Sequence, residues 1–378
     1  MPTNGSSSSL AGQSQPMRLS IGDVVVESVG SLGRIRLNRP KSLNALTYGM
    51  VGAIDEALDQ FAADPGIACV LLTGEGERGL CAGGDIRSLY DGDLAFAEHF
   101  WRDEYRLDAR IAKFEKPFVA VMDGITMGGG VGLSAHSRHR IVTERSRVAM
   151  PETGIGYLPD VGATWLLPRA PGEIGTYLGL TGAPMGAADA IYAGLADLMV
   201  PASDLSHLVE ALSAFPPHSA QENVAVAILA LAADPGPAHL ESHRGIIDRC
   251  FAFDTVDEIL AALQADGSDF ARMTRATLAE KAPSSLVLTL CLLRRGRTAP
   301  SLEDCLEREF HASLAVLAEG DFREGVRAAV IDKDRDPRWS PPRLDQVEWA
   351  RIMRWLEPRA AAVFPGRSVQ HPATATSA

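Results

Sequence analysis

Two glycine-rich turns and two acids downstream of them carry the chemistry in this chain. The turns are Cys81-Ala82-Gly83-Gly84-Asp85 and Met127-Gly128-Gly129-Gly130. The acids are Glu152 and Asp160, in Pro151-Glu152-Thr153-Gly154-Ile155-Gly156-Tyr157-Leu158-Pro159-Asp160. Each turn follows an apolar, strand-like run. Glycine lets the backbone curl and lets a ligand reach the amides with no Cβ in the way. Two such N–H groups, at Gly84 and Gly129, can meet on one carbonyl oxygen and stabilise the oxyanion formed when a thioester or enolate reacts. Glu152 has small and apolar neighbours, so burial is expected to raise its pKa. Asp160 supplies a second carboxylate for acid and base work. Singly, the glycines also suit plain turns, and either acid also suits a cap or an exposed loop. Together they argue for acyl-thioester chemistry.

Other polar residues are weaker candidates. Glu104, in Phe100-Trp101-Arg102-Asp103-Glu104-Tyr105-Arg106, reads as part of a solvated helix face unless that helix lines a pocket. Asp85 reads as the cap of the helix after its turn. Lys41 and Arg87 could meet phosphate. His136 and His139 are three apart, but no carboxylate or cysteine stands at a useful spacing, so they read as helix-end polar residues. Neither glycine turn is a GxGxxG fingerprint, and the sequence contains no GxxxxGK[ST] or GxSxG motif, which disfavours dinucleotide, nucleotide triphosphate and serine-hydrolase sites.

The elements that must hold these residues can be traced along the chain. Val24 to Glu27 and Gly33 to Leu37 read as paired strands. A helix is expected over about 47–62, where Met50, Ile54, Leu58 and Phe61 share a face. Ala68 to Gly74 and Phe118 to Met122 are apolar without alternation, the pattern of strands buried on both sides. Between them lies a helical stretch at about 94–113. Short strands follow at Arg140 to Val142 and Arg147 to Met150. Strands alternating with helices argue for a layered α/β unit. Beyond about 205 the pattern is mostly helical, with helices expected at 205–213, 220–232, 254–265, 270–279, 284–295 and 301–318. The charged run Asp321 to Lys333 is expected to pack those helices on the core or form a lid. No internal sequence repeat is visible. The expected organisation is a flexible tail at 1–17, a core at 18–205, a helical region at 206–358 and a second tail at 359–378.

Bulk composition sets outer bounds. The chain has 378 residues, a formal net charge of −12, and 46% apolar residues. That acidity makes it a poor non-specific partner for nucleic acid. An anionic ligand would have to be held by local amides and a few basic side chains. Five cysteines without a CxxC or Cys/His cluster fit a reducing compartment and give no zinc signature. No apolar run is long enough to span a bilayer. The Ser-rich start lacks the apolar region of a secretory signal. A cytoplasmic setting with no membrane partner is the expectation.

Several motifs together carry a resemblance. Asn38-Arg39-Pro40-Lys41-Ser42-Leu43-Asn44-Ala45-Leu46, Cys81 to Ile86, Gly124-Ile125-Thr126-Met127-Gly128-Gly129-Gly130-Val131-Gly132 and Met150-Pro151-Glu152-Thr153 resemble the enoyl-CoA hydratase/isomerase (crotonase) superfamily. ITMGGGVGLS, MPETGIGYLPDVG and DFREGVRAAVIDKDRDPRW are similar to its 3-hydroxyacyl-CoA hydrolase branch. The likeness runs from about 20 to 340. It implies a crotonase-like spiral of ββα units, with C-terminal helices covering the site. It assigns the oxyanion amides to Gly84 and Gly129, and places Glu104, Glu152 and Asp160 among the catalytic or substrate-contacting acids. It implies hydrolysis of a short 3-hydroxyacyl-CoA, 3-hydroxyisobutyryl-CoA first, in valine breakdown, with CoA entering as part of the substrate, no separate cofactor, and a possible homo-oligomer. The hydratases of the superfamily usually carry a second catalytic glutamate where this chain has Gly132. Water addition to a C=C thereby loses one acid, whereas thioester hydrolysis does not need it. The rival expectations are an enoyl-CoA hydratase/isomerase and a non-catalytic acyl-CoA binder. Whether Glu152 activates water or attacks to form an anhydride stays open at this level.

Overall fold

The computed structural model describes residues 18–217 and 221–366. The expected N-terminal tail and residues 367–378 lie outside that range. Among the described residues ten strands form two sheets: β1 Arg18–Ile21, β2 Val24–Val29, β3 Leu32–Leu37, β4 Cys69–Gly74, β5 Gly79–Cys81, β6 Phe118–Met122, β7 Ile125–Met127, β8 His139–Val142, β9 Arg147–Ala149 and β10 Leu198–Met199. The larger sheet has the order β1-β2-β3-β4-β6-β8-β10, and the smaller is β5-β7-β9. β1, β2 and β3 pair antiparallel; all later pairs are parallel.

The first eight helices are α1 Tyr48–Ala63, α2 Ile86–Asp91, α3 Leu94–Ala112, α4 Gly129–Ala135, α5 Ala163–Leu166, α6 Ile174–Thr181, α7 Ala187–Tyr192 and α8 Leu205–Ser213. The chain therefore places a strand in the large sheet, one in the small sheet, then a helix: β4-β5-α2/α3, β6-β7-α4 and β8-β9-α5. This is the ββα spiral implied by the motifs. The helical region continues as α9 Gln221–Leu229, α10 His239–Phe251, α11 Val256–Asp266, α12 Asp269–Ala279, α13 Pro283–Gly296, α14 Leu302–Glu319, α15 Phe322–Val326 and α16 Trp349–Trp355.

Local chemistry explains the elements nearest the cavity. Thr47 caps α1 by accepting from the Met50 N–H, and Met50, Ile54, Leu58 and Phe61 are buried along one stripe. Asp93 caps α3 in the same way, accepting from the Phe96 N–H. The Asp85 side chain caps α2, as expected. All five residues of β6 are buried. One face of the large sheet packs on the main core, and the other is covered by Leu208 and Leu212 of α8 with Val224 and Ile228 of α9. That two-sided burial is why β4 and β6 lack alternation.

Two expectations are corrected here. The second tail does not begin at 359. The Glu307 carboxylate accepts from the Val363 and Phe364 N–H groups, and Arg102 and Arg106 donate to the Ala362 and Val363 carbonyls. Val363 is buried, so residues 359–366 are strapped across α14 and α3. The second correction concerns α5, α6, α7 and α10, which the sequence reading did not anticipate. α6 is buried on nearly every side, so it shows no amphipathic stripe, and α10 buries only four of its thirteen residues.

Candidate active site

One cavity of about 750 Å³ collects Gly84, Gly129, Glu104, Glu152 and Asp160 on its wall. The two glycine turns abut. Leu46 donates to the Gly83 carbonyl and accepts from the Asp85 N–H. This parallel bridge leaves the N–H of Gly84 itself turned away from Leu46. Gly129 opens α4, so its N–H has no carbonyl a turn earlier to bond within the helix. A Cβ on Gly129 would lie 3.4 Å from the Gly84 nitrogen and 2.5 Å from Glu104 Oε1. Only glycine admits both neighbours at that distance.

Glu104 is not on a solvated face. It lies on the buried stripe of α3 at 2% exposure, and burial, then the charge of Asp160, pushes its pKa well up. Glu152 starts a short helical turn, Glu152–Ile155. The turn is fixed from behind, where Thr153 Oγ1 donates to the Leu180 carbonyl and the Thr153 carbonyl accepts from the Ala282 N–H. Glu152 is 6% exposed and its Oε2 has no hydrogen-bond partner. Desolvation first, and the charge of Asp160 second, raise its pKa well above the usual carboxylate value.

Asp160 is the better hydrogen-bonded acid of the pair. Its Oδ2 accepts from the Tyr105 hydroxyl at 2.8 Å and from the Tyr157 hydroxyl at 3.1 Å. Ser313 Oγ stands 3.1 Å from the Tyr105 hydroxyl and 2.7 Å from that of Tyr157. Each tyrosine has one proton to give, so when both point at Asp160 the serine hydroxyl donates to one of them. Burial raises the Asp160 pKa to about 6, with the two tyrosine bonds pulling the other way.

Three further buried groups, Tyr157 on this wall and Asp108 and Glu309 outside its lining, escaped the sequence reading. Asp108, one turn after Glu104 on α3, is fully buried and neither of its oxygens has a partner. Its carboxyl lies against Gly132, where an added Cβ would meet Asp108 Oδ2 at 2.8 Å and Val161 Cβ at 2.7 Å. Desolvation, and then the charges of Glu104, Asp160 and Glu309, raise the pKa of Asp108 well above the usual carboxylate value. Tyr157 and Glu309 complete the set. The i, i+4 spacing of Glu104 and Asp108 was the available signal for one of them. Nothing local marks Glu309, which arrives from α14.

The remaining candidates have ordinary positions. His136 is half-buried and its Nε2–H donates to the Val161 carbonyl; desolvation lowers its pKa to about 4. Among the described residues no group of His, Cys, Asp or Glu could hold a metal ion. Lys41 and Arg87 line the cavity with Arg39, Arg78 and Lys333. α15 closes on the site as the charged run suggested: Phe322 lines the cavity, and Arg323 donates to the carbonyls of Tyr90 and Gly92 at the end of α2.

A family model described as enoyl-CoA hydratase/isomerase matches residues 32–356. The chain belongs to that family. Among curated relatives it is 41% identical to the mitochondrial 3-hydroxyisobutyryl-CoA hydrolase of Gallus gallus, over 87% of each chain, and 40% identical to that of Homo sapiens, over 86% of each. Among solved structures it resembles a carnitinyl-CoA dehydratase from Mycobacterium thermoresistibile (TM-score 0.85, 42% identity, 91% of this chain and 99% of that one). It is similar also to an enoyl-CoA hydratase from Rhodobacter sphaeroides 2.4.1 (TM-score 0.81, 44% identity, 89% and 98%). The cytoplasmic expectation is overturned by the hydrolase relatives, all eight of which are mitochondrial by name. A missing secretory h-region was the wrong test, because organellar address segments are amphipathic and Arg-rich instead. Among the described residues no single helix is long and apolar enough to cross a membrane.

Proposed function

We propose that this chain hydrolyses a short 3-hydroxyacyl-CoA thioester, 3-hydroxyisobutyryl-CoA first, to the free hydroxy acid and CoA in valine catabolism. The observation that carries the reading is the joint placement of two glycine amides and three buried acids on one cavity wall, in a chain about 40% identical to hydrolases of that substrate over most of its length. The thioester carbonyl lies against the N–H groups of Gly84 and Gly129. Glu152, whose burial makes it the stronger base of the pair, takes a proton from water as the water oxygen bonds to the carbonyl carbon. The C–S bond then breaks and the proton passes to the departing thiolate. Asp160, held by Tyr105 and Tyr157, keeps its charge near Glu152 and maintains that basicity. Glu104, between the two turns, accepts a hydrogen bond from the substrate's 3-hydroxyl. The basic residues on the wall suit the phosphates of CoA.

The two similar structures, named a dehydratase and a hydratase, favour the rival reading, water addition or loss at a C=C. Gly132 argues against it. The hydratases' second acid would have to grow from this position, and Asp108 and Val161 already fill the space where its Cβ would stand. Incubating the protein with a panel of short acyl-CoAs separates the readings. Thiol release that is fastest with 3-hydroxyisobutyryl-CoA supports hydrolysis; loss of the crotonyl-CoA chromophore without free thiol supports the rival; tight CoA binding with neither supports a non-catalytic binder.

A further inference from the structure

Asp160 sits at the head of a strained turn. Val161 has φ +52°, a left-handed conformation that is uncommon for a β-branched residue and persists only where the surroundings impose it. Two groups hold it there. The His136 Nε2–H donates to the Val161 carbonyl at 2.7 Å. On the other side stands Glu309 of α14, fully buried. Its Oε2 accepts from the Gly162 N–H at 2.7 Å, and its Oε1 accepts from the Thr164 N–H at 2.9 Å and the Thr164 hydroxyl at 2.5 Å. Four residues along the same helix, Ser313 bonds the two tyrosines that hold the Asp160 side chain.

We propose that Glu309 is a positioning residue for the reaction. It clamps the backbone after Asp160 so that the Asp160 carboxylate, and through it Glu152, keeps its place against the substrate. Gly162 leaves no alternative packing, since a Cβ there would meet His136 Nε2 at 2.6 Å and Leu302 Cδ1 at 2.7 Å. The three donors on Glu309 are two backbone N–H groups and one hydroxyl. Among the described residues no cation is a hydrogen-bond partner of Glu309, so the carboxylate is spent on loop geometry. The like charge of Asp160 nearby and the buried Asp108 and Tyr105 of α3, which feel the charge of Glu309, make it a costly way to cap a four-residue helix. A purely structural cap could be a neutral side chain.

The inference rests on the hydrolase reading, and the experiment separates the two. Thiol release from 3-hydroxyisobutyryl-CoA is measured for the wild type, Glu309→Gln, Asp160→Asn and the double variant. Glu309→Gln places an amide N–H against a backbone N–H and loses one acceptor. Its kcat is expected to fall about 10- to 100-fold, the cost of a misplaced reacting group, with KM nearly unchanged. In the Asp160→Asn background the same substitution is expected to cost little more, because Glu309 acts through Asp160. Thr164→Val, which removes only the hydroxyl donor, is expected to show a smaller loss of the same kind, and serves if Glu309→Gln does not fold. A Glu309→Gln protein with lower Tm but wild-type kcat, or losses that multiply in the double variant, would overturn the inference. A wild type that releases no thiol would instead overturn the hydrolase reading.

Discussion

Glu104 Oε1 lies 2.5 Å from the point where a Cβ on Gly129 would stand. One relationship thus joins the second glycine turn to an acid on a helix twenty-five residues earlier in the chain. Gly129→Ala is expected to displace the Glu104 carboxyl and to spoil one amide donor together. Loss of a single oxyanion donor costs about 10²- to 10³-fold in kcat, and the variant is expected to fall in or beyond that range while keeping its circular dichroism spectrum. Wild-type kcat for Gly129→Ala would remove both residues from the chemistry.

Replacing Glu152 by Gln keeps its shape and removes its basicity. Positioned acid–base groups contribute about 10²- to 10⁴-fold, and the loss is expected in kcat with KM nearly constant. Steady-state thiol release decides it, and turnover equal to the wild type would take Glu152 out of the mechanism.

The pH profile should report Glu152 and Asp160 as a coupled pair. Burial raises the pKa of Glu152 first and the Asp160 charge raises it further. Removing that charge leaves burial alone, so Asp160→Asn is expected to move the acid limb of kcat/KM to lower pH as well as lowering the maximum. A limb that stays in place, or moves to higher pH, would show that the two carboxyls are not electrostatically linked.

Asp108 gives a stability prediction with a definite sign. Its folded pKa is raised by burial and by the acids around it, so the folded state holds a proton that the unfolded chain releases above about pH 4. Folding therefore becomes harder as pH rises from there toward the folded pKa. Asn has no proton to lose, and the unpartnered oxygens of Asp108 forfeit no hydrogen bond. Asp108→Asn is expected to raise Tm at pH 8 by more than at pH 5. A Tm gain independent of pH would contradict a protonated Asp108.

Much of this arrangement was legible in the chain. The glycine turns, Glu152 and Asp160 announced themselves because each needs a particular residue type at one place. β4 and β6 were readable as unbroken apolar runs. What stayed hidden depends on contacts between distant segments. The three-fold ββα progression leaves no sequence repeat, because ladder hydrogen bonds are made by backbone and accept many side chains. The neighbours of Glu104 alone suit a surface acid, and only the family resemblance marks it as substrate-contacting, since nothing local reveals that Gly129 and Asp160 fold near it. Tyr157 and Glu309 acquire their roles only when α14 brings Ser313 and Glu309 beside Asp160. The strap at 359–366 reads as a tail in sequence because its anchor, Glu307, is more than fifty residues away and bonds its backbone alone.

The most direct test is the ratio of kcat/KM for 3-hydroxyisobutyryl-CoA over isobutyryl-CoA, read as thiol release by the wild type. A buried acid that must pair with the 3-hydroxyl is left unpartnered by the deoxy substrate, and sites of that kind reject such analogues by up to about 10⁴- to 10⁵-fold. A ratio of at least about 10², collapsing toward unity in Glu104→Leu, is the predicted result. Equal release from both thioesters, or none from either, would contradict it.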